Sequence, residues 1–312
     1  MHRFAPSVRS LFSKSGKQFI YPSRFRLLHE HTEITKVIPE FEARSLDCGR
    51  QRSHVNDVQQ HLAREGILKI NLGFHDDGST YLQDLIVNLH KGHGHGLPIA
   101  HSATRGWFWD IRPSPNSFQS PKHQARSETM EEFPWHTDCS YESSPPRFFA
   151  LQVVQPDEYG GGTLSVLNVN KLLQRVSSSA QKSLSMSDFR IHVPPEFIKY
   201  DGEHSIIGSL LAADDSGALN HLRFREDIVT PLSARAGDAL QELKSVLLGT
   251  ETEAETIHLT SEMLPRGSIV LVDNRRWLHG RNEVKDPNRH LRRVRWDARP
   301  FTNIKFERDL MS

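Results

Sequence analysis

The stretch EFPWHTDCSYESSPP, Glu132 to Pro146, guides the interpretation of the whole chain, because it sets a histidine and a carboxylate two positions apart among β-prone aromatic residues. On an extended strand, residues i and i+2 project from the same face, so the side chains of His136 and Asp138 are predicted to enter one pocket together. A neutral imidazole and a carboxylate can occupy two coordination positions of a divalent metal ion. The stretch therefore predicts part of a metal site, and a third ligand must come from elsewhere.

The spacing of a histidine two residues before an acid carries little weight alone. With 18 histidines and 38 acidic residues in 312 positions, chance gives about two such pairs. The chain has three: His31 with Glu33, His75 with Asp77, and His136 with Asp138. The first pair lies in an N-terminal arm and the second in the turn-like sequence HDDG, so neither has a β segment around it. Context therefore favours the third pair.

The candidate third ligand is His279, in the stretch GSIVLVDNRRWLHGR from Gly267 to Arg281. An apolar strand ends there at a predicted turn, and the histidine follows the turn. Two histidines and one carboxylate occupy three positions of an octahedron and leave three open for other ligands. A lone histidine after a strand is more often a surface or hydrogen-bonded residue, and sequence alone does not exclude that alternative.

A run of arginines follows in NRHLRRVRWDAR, Asn288 to Arg299. Val294 and Trp296 alternate there with Arg293 and Arg295, so a strand would present one apolar face and one cationic face. Such runs usually mark a solvated surface. A guanidinium that points into a metal pocket, however, would bind a carboxylate through two hydrogen bonds.

The rest of the chain alternates between helical and short β segments. Helical spacing of apolar residues is found over residues 55–65, 77–91, 170–186 and 233–249. From Phe133 onward come the β segments FPWHTDCSYE, RFFALQVVQ, GTLSVLNV, IHVPPEFI, HLRFREDIV, TIHLTSEM, GSIVLVDN and LRRVRWDAR. This pattern predicts a mainly β fold with flanking helices, a sandwich or jelly roll, and not a parallel α/β sheet. We expect a basic N-terminal arm over residues 1–54 and a single domain over residues 55–312.

Charge and cysteine content narrow the classes of partner and compartment. The 39 basic and 38 acidic residues leave a net charge of +1, which gives no field for nucleic acid. No run approaches the ~18 apolar residues of a membrane span, so we expect no membrane association.

Only two cysteines occur, Cys48 and Cys139, which favours a reducing compartment, the cytoplasm. The first 29 residues hold six lysines and arginines and no acid, so a mitochondrial transit peptide is the alternative. Sequence does not decide between a monomer and a homo-oligomer.

Four segments, in their order and spacing, resemble the taurine dioxygenase (TauD/TfdA-like) family of Fe(II)/2-oxoglutarate-dependent oxygenases. They are WHTDCSYESSPP, YGGGTLSV, VDNRRWLHGR and NRHLRRVRW, and the resemblance runs from about residue 60 to residue 300. It implies a cupin-like double-stranded β-helix that binds iron through His136, Asp138 and His279. It also implies that Thr163 hydrogen-bonds 2-oxoglutarate and that Arg293, with Arg289 as a helper, binds the far carboxylate of this cosubstrate. A register shift of one residue would put Arg292 in that role instead.

The resemblance further implies an oxygenase that oxidises an unactivated C–H bond of a small molecule by hydroxylation, desaturation or oxidative cyclisation, while 2-oxoglutarate and O2 become succinate and CO2. Because Asp138 fills the position that chloride takes in related halogenases, halogenation is not expected. Two alternatives stay open: a cupin-like hydrolase or isomerase with Zn²⁺ or Mn²⁺ at the same residues, and a non-catalytic jelly-roll binding protein. A hydrolase needs no arginine clamp for a dicarboxylate, which separates it from the oxygenase.

Cationic side chains outside these motifs are the candidate substrate contacts, namely His101, Arg105, Arg126 and Arg225. Each one taken singly is better explained as an ordinary surface residue. Together they predict a substrate that is anionic or zwitterionic, such as an amino acid or another carboxylate.

Overall fold

The computed structural model describes residues 38–100, 106–113, 124–198, 202 and 204–301. Its strands are β1 (Glu40–Ala43), β2 (Ile67–Leu72), β3 (Phe108–Ile111), β4 (Phe133–His136), β5 (Pro146–Gln155), β6 (Leu164–Asn168), β7 (Phe189–His192), β8 (Ser205–Gly208), β9 (Leu211–Ala213), β10 (Leu219–Leu222), β11 (Val229–Pro231), β12 (Ile257–Leu259), β13 (Ser268–Asp273), β14 (Trp277–Arg281) and β15 (His290–Ala298). Its α-helices are α1 (Arg52–Glu65), α2 (Thr80–His93), α3 (Val169–Leu173), α4 (Ser178–Leu184), α5 (Ala234–Leu247) and α6 (Thr250–Glu255).

Two sheets form the centre of the fold. One has six strands in the order β1-β2-β13-β5-β15-β3, and the other has four strands in the order β12-β6-β14-β4. All neighbours are antiparallel except β1 and β2, which are parallel. Strands that follow one another in the chain alternate between the two sheets from β12 to β15, which is the winding of a jelly roll. The mainly β fold with flanking helices is as predicted.

The alternation of side chains along β13 shows how this strand serves two cores. Val270 and Val272 are fully buried between the two sheets, where they pack with Val166 of the four-stranded sheet. Ile269 and Leu271 point to the opposite face and join the core beneath α1 and α2. Because both faces of β13 are covered, the residues from Ile269 to Val272 are all apolar, and their burial on both sides stabilises the strand.

A third core lies on the outer face of the four-stranded sheet. Leu167 of β6 and Leu278 of β14 pack there against Leu243 of α5, and all three are fully buried. The small sheet β11-β7-β8 contributes Phe189 and Ile191 to the same core. The four-stranded sheet is therefore held on both faces, which gives the strands that carry the site a rigid support.

Three sequence-based boundaries differ from the structure. The domain was expected to begin at residue 55, but β1 pairs with β2 in the main sheet and Ala43 is fully buried, so residues 38–54 belong to the fold. The helix predicted over residues 170–186 is two short helices, α3 and α4, each started by the capping side chain of its own N-cap residue. The β segment expected over residues 133–142 ends at His136.

No helix within the described ranges has the length and apolarity needed to cross a membrane. The acid-free basic segment of the first 29 residues lies outside the described residues.

Candidate active site

The structure brings the three predicted metal ligands together, although they are far apart in sequence. His136 is the last residue of β4, and its register partner on β14 is His279. The Nε2 atoms of His136 and His279 lie 3.9 Å and 3.8 Å from the Oδ1 atom of Asp138. One ligand atom from each residue lies within 4.8 Å of those of the other two, and all three residues are buried. The arrangement has the size of a shared coordination sphere.

Asp138 reaches this position by a turn and not by strand alternation. Its backbone N–H donates to Asn274 Oδ1 at 2.7 Å, and Asn274 Nδ2 donates back to the Asp138 carbonyl at 2.9 Å. Asn274 also donates to the Pro146 carbonyl at 2.9 Å, so one buried amide ties the turn to the start of β5. Sequence reasoning missed Asn274 as a site residue, because its role depends on a partner 136 positions away.

The hydrogen bonds of His136 leave its metal-facing nitrogen free. Its Nδ1 atom lies 2.8 Å from the Pro134 carbonyl oxygen, which can only accept, so Nδ1 carries the proton. Nε2, the atom on the side of Asp138, then has a lone pair. Among the described residues, Asp138 Oδ2 is one of the buried side-chain atoms without any hydrogen-bond partner. Buried carboxylate oxygens are usually satisfied, so this atom is suited to bind a cation.

The protonation states of His136 and Asp138 favour the binding of a cation. Burial, helped by the proximity of His279, holds the pKa of His136 well below its usual range. Burial alone would raise the pKa of Asp138, but the charge of Arg293 and the proximity of His279, whose Nε2 lies 3.8 Å from Oδ1, hold it well below the usual carboxyl range. A neutral imidazole and a carboxylate are the protonation states that metal coordination requires.

Aromatic rings fix the two imidazoles. Phe133 stacks on His136 with ring centroids 3.7 Å apart and planes 12° from parallel. Phe149 lies against His279 at 4.5 Å. Packing of this kind restricts the rotamers of the ligands, so the site needs little reorganisation to bind an ion.

Arg293 lies beside the triad, and its neighbour Arg292 does not. The Nη1 atom of Arg293 donates to Asp138 Oδ1 at 3.1 Å, and its guanidinium lies 4.7 Å above the ring of Trp109. Arg292 points to the other face of β15 and donates to Asp110 Oδ1 at 2.8 Å. The alternative register that would put Arg292 at the site is therefore not the one adopted.

Arg289 lies in a different cavity from Arg293. This second cavity is lined mainly by apolar residues from the inner faces of the two sheets, among them Leu151, Val153, Leu164, Leu259 and Leu291. The Arg289 guanidinium closes one side of it and donates to the Gly162 carbonyl at 3.3 Å, next to Thr163. Burial lowers the pKa of Arg289 to about 10, an effect that nearby Asp157 offsets in part. The structure thus separates the two arginines that were expected to act together.

The loop before Thr163 is fixed by hydrogen bonds to the loop that follows β14. Thr163 N–H donates to Asn282 Oδ1 at 2.7 Å, and Gly162 N–H donates to the Glu283 carbonyl at 2.8 Å. The Gly162 backbone has a positive φ of 63°, and a Cβ there would lie 2.6 Å from Arg289 Nε. Glycine is required at this position because both the conformation and the arginine exclude a side chain.

Two of the four predicted substrate contacts line the cleft that opens onto the triad. Arg126 and Arg225 lie on its wall with Arg293, and their guanidinium groups lie 5.9 Å and 5.6 Å from the centroid of the Phe133 ring. Arg225 also forms a bidentate ion pair with Asp227, at 2.8 Å and 2.7 Å. His101 and Arg105 lie outside the described residues.

Comparison with known proteins gives one family and one fold. The family model for "Taurine catabolism dioxygenase TauD, TfdA family" matches residues 93–295. A search of curated proteins by sequence found no match. Asparagine oxygenase, solved with Fe(II), 2S,3S-3-hydroxyasparagine and succinate, is 20% identical with a TM-score of 0.60, and the alignment covers 86% of this chain and 96% of that one. The non-heme iron oxygenase OrfP, solved with Fe and alpha-ketoglutaric acid, is 14% identical with a TM-score of 0.61, covering 88% and 96%. These two structures confirm the predicted jelly-roll fold.

Proposed function

Because this chain belongs to the taurine catabolism dioxygenase TauD, TfdA family, we propose that it is an Fe(II)- and 2-oxoglutarate-dependent oxygenase that oxidises a C–H bond of a small molecule bearing a carboxylate. Family membership confirms the dioxygenase class expected from the sequence. The observation that carries the proposal is the convergence of two imidazoles and one carboxylate, from separate segments, onto one buried point. Two histidines and a carboxylate with open positions are the ligand set of non-heme Fe(II) oxygenases.

In this proposal His136, Asp138 and His279 hold the ferrous ion. The buried, unpartnered Asp138 Oδ2 atom supports the assignment, because a cation would relieve its missing interaction. When bound, iron and 2-oxoglutarate would supply the oxidising chemistry, with conversion of 2-oxoglutarate and O2 to succinate and CO2. The residues of the chain hold the ligand atoms in place, keep the imidazoles neutral and exclude water from the buried side of the site.

The contacts of Arg293 and Arg289 support roles that differ from those expected from the sequence: Arg289, and not Arg293, binds the far carboxylate of 2-oxoglutarate. Arg293 touches Asp138, so its charge lies beside the metal position and suits the end of 2-oxoglutarate that binds the metal. The far carboxylate lies at the other end of a five-carbon chain and needs a cation farther away. Thr163 immediately precedes β6 and lies three residues before Val166, the register partner of His279, hence about 10 Å from Val166. Arg289, buried beside Thr163 in an apolar cavity, suits that far carboxylate, and we assign it the clamp.

Arg126 and Arg225 support a substrate that carries a carboxylate. Both line the cleft that leads to the triad, where a small molecule would lie next to the metal position. Asparagine oxygenase and OrfP were each solved with a hydroxylated amino acid, hydroxyasparagine in one and hydroxy-L-Arg in the other. An amino acid or a similar carboxylate is therefore the substrate class that we propose.

The test is anaerobic addition of Fe(II) and 2-oxoglutarate to the metal-free protein, followed by visible absorption spectroscopy. We expect the weak charge-transfer band of an Fe(II)·2-oxoglutarate chelate, and we expect no band in His136→Ala because the ion loses a ligand. Arg289→Ala should need a much higher 2-oxoglutarate concentration for the same band. An absent band in the parent protein at saturating 2-oxoglutarate contradicts the proposed function. A band of equal strength in His136→Ala contradicts the ligand assignment.

The metal hydrolase and the non-catalytic binding protein have no specific observation in their favour. A hydrolase would give no role to the buried Arg289 guanidinium that lines the second cavity.

A further inference from the structure

Glu196 is an acidic side chain on the wall of the triad cleft, which is otherwise rich in arginines. It lies on the short 3₁₀ helix Pro195–Phe197, on the side of the cleft that β7 leads into. Its neighbour Phe197 stacks on Tyr141 at 5.4 Å and meets Trp109 edge-on at 6.1 Å. These two aromatic contacts and the fixed φ of Pro195 hold the backbone of Glu196 at the cleft.

The charges in the cleft are unevenly paired. Arg293 is paired with Asp138, and Arg225 is paired with Asp227. For Arg126 the described residues offer no carboxylate partner, only the Glu132 carbonyl at 3.1 Å. Glu196 has no ion-pair or hydrogen-bond partner in the described part of the chain, and it does not pair with Arg126 across the cleft. Arg295, also on this wall, donates from Nη1 to Cys139 Sγ at 2.6 Å. Among the described residues of the cleft, Arg126 and Glu196 are therefore a cation and an anion that have no ion-pair partner and do not pair with each other.

We infer that Glu196 is a specificity-determining residue that binds a cationic group of the substrate, while Arg126 binds its carboxylate. The inference rests on the proposed function and extends it, because a purely anionic substrate would meet repulsion at Glu196. Opposite charges that are partly buried and held apart are complementary to a molecule carrying both signs. The substrate class is then a zwitterion, such as an amino acid with a free ammonium group. Neutralising the ammonium removes a charged hydrogen bond, which costs about ten- to a hundred-fold in apparent affinity.

The experiment measures succinate formation from 2-oxoglutarate in the presence of the common α-amino acids, each compared with its N-acetyl derivative. With the parent enzyme we expect at least one amino acid to stimulate turnover and its N-acetyl derivative to have a kcat/KM at least tenfold lower. Glu196→Gln should raise KM for that amino acid about tenfold, change kcat less than KM, and leave the N-acetyl derivative nearly unaffected. Glu196→Asp, which keeps the charge, should retain most of the discrimination. Glu251→Gln, on an exposed residue outside the cleft, is the matched control.

Three results would overturn the inference: no amino acid stimulates turnover, the N-acetyl derivatives work equally well, or Glu196→Gln weakens both members of a pair alike. The last pattern would mean that Glu196 only supports the fold. The Fe(II)·2-oxoglutarate band, recorded on the same parent protein, separates this failure from failure of the proposed function. If the band forms, only the role of Glu196 is wrong, and if it does not form, the oxygenase proposal fails with it.

Discussion

Asn274 shows how a single buried amide supports the proposed metal site. It satisfies both the N–H and the carbonyl of Asp138 and also the Pro146 carbonyl, and its side chain is nearly inaccessible to solvent. We expect Asn274→Ala to lower the free energy of unfolding by about 2 to 4 kcal/mol, because three buried polar groups lose their partner. Iron affinity should fall by at least about tenfold, since Asp138 is no longer held in place. Thermal denaturation and Fe(II) titration measure the two effects. Asn170→Ala, at an exposed position, is the control, and unchanged iron affinity in Asn274→Ala would contradict this role.

His95 is a residue whose protonation should set part of the acid stability. Its Nε2 lies 2.7 Å from Gln59 Oε1, and its Nδ1 accepts from Trp296 Nε1 at 3.1 Å, so the neutral ring satisfies both neighbours. Burial lowers its pKa to about 4, against about 6.5 in the unfolded chain. Between these values the unfolded chain binds a proton that the folded chain does not, so stability falls as pH drops from 6.5 towards 4.

We expect this single group to account for about 2 to 3 kcal/mol of the loss over that window. His95→Gln cannot titrate, so its deficit in the free energy of unfolding relative to the parent should shrink between pH 7.5 and pH 5. Urea denaturation at the two pH values measures the difference, and His192→Gln, at an exposed histidine, serves as the control. A deficit that stays constant with pH would show that His95 does not carry the effect.

At the scale of elements, strand β15 shows what alternation predicts and what it does not. The pattern of arginines against Val294 and Trp296 predicted one cationic and one apolar face, and residues 293–296 have that arrangement, although Arg292 lies on the same face as Val294. Alternation could not predict that Arg289, four residues before Arg293, opens onto a separate cavity. It also failed for Asp138, because β4 ends at His136 and a turn takes over. Turns are stabilised by distant partners, and single-sequence patterns do not contain those partners.

The two loops that flank the second cavity depend on Asp157. Its Oδ1 accepts from the N–H groups of Tyr159 and Gly161, at 2.9 Å and 3.0 Å, and its Oδ2 accepts from those of Lys285 and Asp286, at 2.8 Å and 3.1 Å. A carboxylate alone can accept from four donors in this way. The loop that carries Thr163 is thereby joined to the loop that leads to Arg289.

Asp157→Asn would turn an amide NH2 towards two of these N–H groups and leave them unsatisfied. We expect KM for 2-oxoglutarate to rise about tenfold while kcat changes less, because the loops position Thr163 and Arg289 without touching the metal. Steady-state kinetics with varied 2-oxoglutarate measures the split. Asp215→Asn, at an exposed loop position, should leave both constants unchanged. A tenfold fall in kcat with an unchanged KM for 2-oxoglutarate would contradict this role of Asp157.

At the scale of the whole molecule, the sequence predicted the mainly β class and the main helices because long apolar periodicities do not depend on tertiary partners. Among the strands that it missed, β1 and β3 are short and lie at the two edges of the six-stranded sheet. Strands of this length are stabilised by the partner that they pair with, so their own residues contain little signal. The proposed site likewise depends on tertiary structure, because β4 and β14 belong to one sheet and β15 belongs to the other.

Because His136 and His279 lie on the four-stranded sheet and Arg293 lies on the six-stranded sheet, metal and cosubstrate should bind the folded chain and not the unfolded one. Ligand at about a hundred times its dissociation constant then adds about 2.7 kcal/mol to the free energy of unfolding. For a domain of this size the melting temperature should rise by roughly 5 °C or more when Fe(II) and 2-oxoglutarate are added together without oxygen. Differential scanning fluorimetry under anaerobic conditions measures the shift. Arg289→Ala should keep the increment from iron and lose the further increment from 2-oxoglutarate, whereas His136→Ala should lose most of both. A parent-sized shift in His136→Ala would mean that the ion stabilises the protein from some other place.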